Sequence, residues 1–121
     1  MAVADITLAQ LDVKREAERF LSEVSGTESR KKKTLLDSEG LLMFLLYVRQ
    51  DGYVPVHQVT EWITVQTIIG AVRMQAEDQT HLLAEGSVLA LAGAVPHDVY
   101  GIEPSICLVT IARTPTSRSQ A

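Results

Sequence analysis

The chain has 121 residues, of which 46% are hydrophobic, and a formal net charge of −4. This length fits one domain with a single core and leaves no room for a second. The acidic balance excludes broad electrostatic binding to nucleic acid, which needs a basic face, and the lone Cys107 excludes an intrachain disulfide.

The amino-terminal residues lack a charged start that is followed by an apolar stretch and a small-residue cleavage site. The longest apolar runs are also too short to span a bilayer. The sequence therefore predicts a soluble, cytoplasmic protein with neither a membrane nor a nucleic-acid partner.

The first part of the chain, residues 1–33, is predicted to be a helical segment followed by a polar linker. Residues 6–24 mix apolar and charged side chains without a proline, which is typical of one interrupted helix or one short helix. Residues 25–33 contain serine, threonine and glycine and end in four consecutive basic residues. We interpret the basic run, residues 30–33, as a solvated connection and not as a phosphate- or membrane-binding patch, because it follows serine, threonine and glycine residues and no aromatic residue interrupts it.

From residue 34 the pattern changes to short apolar or β-branched segments that are separated by turn residues. The predicted strands are residues 35–36, 41–49, 62–69, 71–75, 80–83, 87–91, 98–100 and 106–112. Short strands at this spacing predict an all-β domain over residues 34–113, built as a sandwich or a closed barrel. The serine- and threonine-rich tail, residues 114–121, is predicted to be flexible.

Two glycine-bounded segments, residues 52–70 and 86–101, carry histidines at a regular spacing. His57 lies thirteen residues before Gly70, and His97 lies eleven residues after Gly86. These segments resemble the two motifs of the cupins, Gly-x5-His-x-His-x3-4-Glu-x6-Gly and Gly-x5-Pro-x-Gly-x2-His-x3-Asn. The resemblance implies a small cupin-like β-barrel, an antiparallel jelly roll, with a short helical segment before it.

In the cupins, three histidines and a glutamate from these motifs converge on one metal ion. Counted back from Gly70, the second histidine and the glutamate are replaced by Val59 and Ile63, which have no donor atom. His57 and His97 remain as the implied metal ligands. Two imidazoles alone predict a weak site for a divalent transition metal.

An alternative register brings in a carboxylate. Glu61 lies four residues after His57, which is the spacing between the second histidine and the glutamate of the first motif. His57, Glu61 and His97 would then form a set of two histidines and one carboxylate, at the cost of a two-residue bulge before Gly70. We favour the register without the bulge, in which Glu61 faces solvent.

Two functions remain open at this point. The first is a metal-free cupin-like protein that binds a small molecule in its barrel. The second is a metal-dependent enzyme that oxidises or isomerises a small organic acid, with His57 and His97 as ligands. The sequence favours the first, assigns no catalytic residue and leaves open whether the protein is an enzyme. The resemblance also implies a homodimer, because small cupins commonly pair through sheet edges. In addition, residues 41–48 are apolar on both faces of the predicted strand and need cover on each.

Overall fold

The computed structural model describes residues 7–57 and 59–113, with the backbone alone at His57. The described part contains one helix, α1 (Val13–Glu23), and nine strands. The strands are β1 (Arg30–Asp37), β2 (Leu41–Val48), β3 (Tyr53–His57), β4 (Ile63–Ile69), β5 (Ala71–Ala76), β6 (Gln79–Ala84), β7 (Val88–Leu91), β8 (His97–Gly101) and β9 (Ser105–Ala112). The flexible tail predicted at residues 114–121 and the first six residues lie outside the described residues.

The strands form two antiparallel sheets that pack face to face. One sheet has the order β1-β2-β9-β4-β7, and the other has the order β3-β8-β5-β6. Burial alternates along β4 and β5, as expected for strands with one face turned towards a shared interior. The predicted all-β fold with an amino-terminal helix is therefore confirmed.

Helix α1 covers the outer face of the five-stranded sheet. Ala17 and Phe20 form an apolar cluster with Leu45, Tyr47 and Ile106 of β2 and β9. β2 is thus covered within one chain, by the helix on one face and by the other sheet on the opposite face. The apolar character of β2 therefore does not require a second copy of the chain.

The helix is a single short one within residues 6–24, which is one of the two alternatives that the sequence predicts. It begins after Asp12, whose carboxylate accepts a hydrogen bond of 3.1 Å from the backbone N–H of Arg15. This is an N-cap contact, which satisfies a backbone donor of the first turn and fixes where the helix starts.

The basic run at residues 30–33 is part of β1, so its interpretation as a solvated connection is wrong. β1 pairs with β2 along its length, with Arg30 opposite Val48 and Lys33 opposite Leu45. It is also the edge strand of its sheet, where lysine is favoured because it discourages pairing with another chain.

β3 is the strand that the sequence analysis missed. Pro55 interrupts its pattern, and its pairing with β8 shifts register between Val54 and His57. Proline is tolerated here because β3 lies at the edge of the four-stranded sheet, where a missing N–H breaks no inner ladder.

The two sheets are bridged at one edge by a side chain. Along the described residues no strand of one sheet pairs with a strand of the other, so the sandwich is not a closed barrel. At the gap between β1 and β3, the Arg30 guanidinium donates a hydrogen bond of 3.2 Å to the backbone carbonyl of Tyr53.

The single helix of the described region is too short to cross a membrane.

Candidate functional site

A cavity of about 680 Å³ lies between the two sheets, next to the gap between β1 and β3. Most of its wall consists of valine, leucine, isoleucine and phenylalanine side chains from both sheets. The lining residues are Arg30, Lys31, Lys32, Leu42, Phe44, Leu46, Val54, Pro55, Val56, Val59, Ile63, Val65, His97, Val99, Val109 and Ile111. We call this half of the interior the open end.

His97 is the buried polar residue of this wall. It is the first residue of β8, and only 2% of its surface is exposed. Its Nδ1 lies 3.0 Å from the backbone carbonyl oxygen of Val95, which can only accept a hydrogen bond. Nδ1 therefore carries a proton, and in the neutral ring the acceptor nitrogen is Nε2.

The loop before His97 is held by contacts with the loop between β3 and β4. The backbone N–H of Ala94 donates a hydrogen bond of 2.6 Å to the carbonyl of Val59. A Cβ on Gly93 would collide with the carbonyl oxygen of Thr60, so a residue without a side chain is needed there. These contacts fix the backbone that enters β8 and thereby the position of the His97 ring.

The backbone at Ala94 supports the motif spacing counted from Gly86. This is the position at which the second cupin motif has a glycine, and Ala94 has a φ of 67°. That value lies in the left-handed region, which glycine enters most easily. Residue 94 therefore has the backbone conformation expected of the motif's glycine, although it is an alanine.

Val59 and Ile63 both line the same cavity as His97. The register anchored on Gly70 assigns these two residues to ligand positions of the first motif, and both positions do face the interior. Because neither side chain has a donor atom, the cavity carries apolar groups where a complete cupin site carries two metal ligands.

His57 and Glu61 are placed differently by the structure. His57 lies directly opposite His97 in the β3–β8 ladder, but its side chain lies outside the described residues. Glu61 is not among the residues that line the cavity, and its carboxylate accepts a hydrogen bond of 2.9 Å from the Thr60 hydroxyl. Among the described residues, no three histidine, cysteine, aspartate or glutamate side chains are grouped so that they could hold a metal ion.

The basic residues at the cavity are a feature that the sequence analysis missed. Arg30, Lys31 and Lys32 all border the cavity, and no aspartate or glutamate is among its described lining residues. The Lys32 ammonium lies 4.7 Å from the centre of the Phe44 ring. The alternation of β1 places the exposed Lys32 on the cavity side of the sheet, which could not be predicted while residues 30–33 were interpreted as a connection.

Other titratable groups lie away from the cavity. Burial, opposed by a contact with the Thr67 hydroxyl, raises the pKa of the Cys107 thiol to about 11, so this cysteine is not a nucleophile at neutral pH. The Tyr53 hydroxyl donates a hydrogen bond of 2.9 Å to Asp98, which raises the pKa of Tyr53. A hydrogen bond to Asp51 likewise raises the pKa of Tyr100.

Comparison with known proteins identifies the fold. No protein-family model and no curated protein matches the sequence. A cupin superfamily protein from Desulfitobacterium hafniense superposes with a TM-score of 0.75 at 13% identity, over 94% of this chain and 100% of that one. The protein TT1209 from Thermus thermophilus superposes with a TM-score of 0.72 at 24% identity, over 89% of this chain and 100% of that one.

An enzyme also has this fold. The DMSP lyase DddQ from Ruegeria pomeroyi superposes with a TM-score of 0.66 at 18% identity, over 72% of this chain and 48% of that one. The chain therefore has the fold of the small cupins, as its two motifs predict. At these identities the likeness extends to the fold and not to the chemistry.

Proposed function

We propose that this protein binds a small, largely apolar molecule in the cavity at its open end. The observation that carries the proposal is the cavity itself, about 680 Å³ in volume and walled mainly by aliphatic side chains. Cavities of roughly 300–1,000 Å³ with apolar walls and few polar groups are typical of small-molecule sites.

The residues at the positions that hold metal ligands in the first cupin motif support an apolar occupant. Val59 and Ile63 present methyl groups to the cavity, and the burial of apolar ligand surface against them contributes roughly 25 cal/mol per Å². His97 adds a buried polar group to the wall. In such sites, a few polar groups orient the ligand while the apolar wall supplies most of the affinity.

A methyl NMR titration with 1-octanol tests this proposal. We expect concentration-dependent shifts at the methyl groups of Val59, Val109 and Ile111, which line the cavity. The methyl groups of Val48 and Val72 provide an internal control, because both are fully buried and neither lines the cavity. Shifts absent from the cavity methyls, or equal at both sets, would overturn the proposal.

A cavity-filling variant gives a second measurement. Val59→Trp places a large ring in the cavity and should abolish the octanol-induced shifts at Val109 and Ile111. Unchanged shifts in a folded variant would place the binding elsewhere. If the variant does not fold, the methyl titration of the natural protein decides the question alone.

A metal-dependent enzyme is the second candidate, and one observation favours it. The β3–β8 ladder pairs His57 with His97, the two residues that the cupin motifs assign as ligands. This candidate predicts a stoichiometric transition metal in protein purified without chelator or nickel resin. It also predicts weaker metal binding in His97→Ala, and in Glu61→Gln if the carboxylate is recruited. A metal content near zero would reject it.

We also propose a homodimer in the cytoplasm. Trp62, directly before β4, and Val88, in the edge strand β7, expose 59% and 56% of their surfaces, and a second copy of the chain would cover them. A light-scattering mass near the 13.3 kDa of one chain at micromolar concentration would contradict the dimer.

A further inference from the structure

The charge at the mouth of the cavity has the opposite sign to that of the whole protein. The chain has a formal net charge of −4. The cavity, in contrast, is bordered by Arg30, Lys31 and Lys32, with no carboxylate among the described lining residues. A cluster of one sign beside a low-dielectric wall concentrates its field in the opening and attracts ligands of opposite charge.

The alternation of β1 separates its basic residues into two groups. Lys33 lies opposite Leu45, which packs against α1, and its ammonium is 3.8 Å from both Glu16 and Glu23. Lys33 is thus on the helix side of the sheet and is neutralised there. Lys31 has the same parity as Lys33 and, although it borders the cavity, its ammonium lies 3.9 Å from the Glu28 carboxylate.

Lys32 is on the cavity side. It lies opposite Leu46, which lines the cavity, and its ammonium lies over the ring of Phe44, another lining residue. Within the described residues, no carboxylate lies within ion-pair distance of Lys32. An ammonium beside an apolar wall and without an acidic partner is suited to pairing with an anionic group of a ligand.

Arg30 has the same parity as Lys32 and lies two residues away on β1. One of its guanidinium N–H groups bonds to the carbonyl of Tyr53 across the gap between the sheets. A guanidinium has five donors, so this contact orients the group and leaves donors for a carboxylate. Arg30 and Lys32 thereby place two cations on the cavity side of β1.

We propose that the ligand is an amphipathic monocarboxylate, with its apolar part in the cavity and its carboxylate at Lys32 and Arg30. This inference rests on the proposed binding function and adds the chemical class of the ligand. The aliphatic wall accounts for the apolar part, and the cations on β1 account for the carboxylate.

Three probes with the same eight-carbon chain test the head group: octanoate, 1-octanol and octylammonium. We expect octanoate to bind about fivefold more tightly than octanol at low salt, which corresponds to one partly exposed charge pair. Octylammonium should bind more weakly than octanol. Added salt should weaken octanoate binding and leave octanol binding unchanged, because only the former depends on a screened charge pair.

Two neighbouring lysines provide a matched pair of variants. Lys32→Gln should lower the affinity for octanoate towards that of octanol, a loss of up to about fivefold, because it removes one of the two cations that face the carboxylate. Lys33→Gln removes the same charge from the helix side of the same strand and should leave the affinity unchanged. The affinity for octanol should be the same in both variants.

The outcomes distinguish a failure of this inference from a failure of the proposed binding function. Equal binding of octanoate and octanol, or equal effects of the two variants, overturns the carboxylate assignment while apolar binding in the cavity stands. If none of the three probes shifts the cavity methyls, the binding function fails, and this inference fails with it.

Discussion

The two ends of the interior between the sheets are built from similar residues but are packed very differently. At one end, which we call the closed end, Val48, Val72 and Cys107 are completely buried, together with Met74 and Thr67. At the open end, valine and isoleucine side chains from the same strands surround a cavity of about 680 Å³. One strand can thus contribute to a dense core and to a binding site within a few residues.

The difference arises from what joins the sheets at each end. At the closed end, Gly101 in the four-stranded sheet lies so close to the carbonyl of Arg49, directly after β2, that an added Cβ would collide with it. The hydroxyl of Thr67 in the five-stranded sheet donates to the carbonyl of Leu83 in the other sheet. Arg30, which lies opposite Val48, belongs to the same end and donates a hydrogen bond to the carbonyl of Tyr53 across the gap between β1 and β3. At the open end, the cavity lies between the sheets. We infer that the closed end contributes most of the stability of the fold and that the open end is available for ligand binding.

The largest effect is expected for Gly70→Ala at the closed end. Gly70 has a φ of 86°, and an added Cβ would collide with the carbonyl oxygen of Pro104 and the hydroxyl of Ser105. Strain and collision together should cost about 3 kcal/mol of unfolding free energy, measured by urea denaturation.

Gly86→Ala is the matched control for this variant. Gly86 has a nearly identical φ of 89°, but an added Cβ would meet nothing within 4 Å. It should cost only about 1 kcal/mol, the price of the left-handed backbone alone. Equal losses in the two variants would show that the closed end is not tightly packed around Gly70.

The residue pattern predicted most of the strands because alternation reports a half-buried face, whichever end of the interior it serves. It failed at β1 and β3, the two strands that flank the gap. The basic residues of β1 resemble a solvated connection, and Pro55 breaks the pattern of β3. Both are edge strands, where lysine and proline are tolerated because no further strand pairs on that side.

The candidate site was predictable only where a motif marked it. The spacing from Gly86 identified His97, and the spacing from Gly70 identified the positions of Val59 and Ile63, all of which line the cavity. Lys32 could not be found in this way, because its contact with Phe44 depends on β1 being a strand of known register. The ligand roles of His57, His97 and Glu61 stay predictions.

The second prediction concerns the stability of the closed end in alkali. Burial raises the pKa of Cys107 from its ordinary 9.0 to about 11 in the folded protein. The contribution of this pKa difference to the unfolding free energy is fully present below pH 9, where the thiol is protonated in both the folded and the unfolded chain. It is lost as the pH rises towards 11, because the unfolded chain releases this proton first.

This loss should amount to about 2–3 kcal/mol, measured as unfolding free energy between pH 8 and pH 11. Cys107→Ala removes the thiol and should lose less stability over this range. Tyr53 and Tyr100 titrate in both proteins, so their contribution cancels in the comparison. Parallel curves for the two proteins would mean that the Cys107 thiol is already accessible to water in the folded state.

The smallest effect on stability, and the most direct comparison of the two ends, comes from replacing one valine by alanine at each end. Val72→Ala removes two methyl groups at the closed end, where the side chain is fully buried, and should cost about 2 kcal/mol of unfolding free energy. Val59→Ala removes the same groups from the cavity wall and should cost less than about 1 kcal/mol, because Val59 is only partly buried and borders the cavity.

The two variants should differ in the opposite sense in binding. Val59→Ala removes part of the wall and should weaken octanoate binding, whereas Val72→Ala should not, provided that the variant is folded under the conditions of measurement. Equal losses of stability would mean that the open end is packed as tightly as the closed end. The cavity would then be closed in solution, and the separation of folding and binding between the two ends would be wrong.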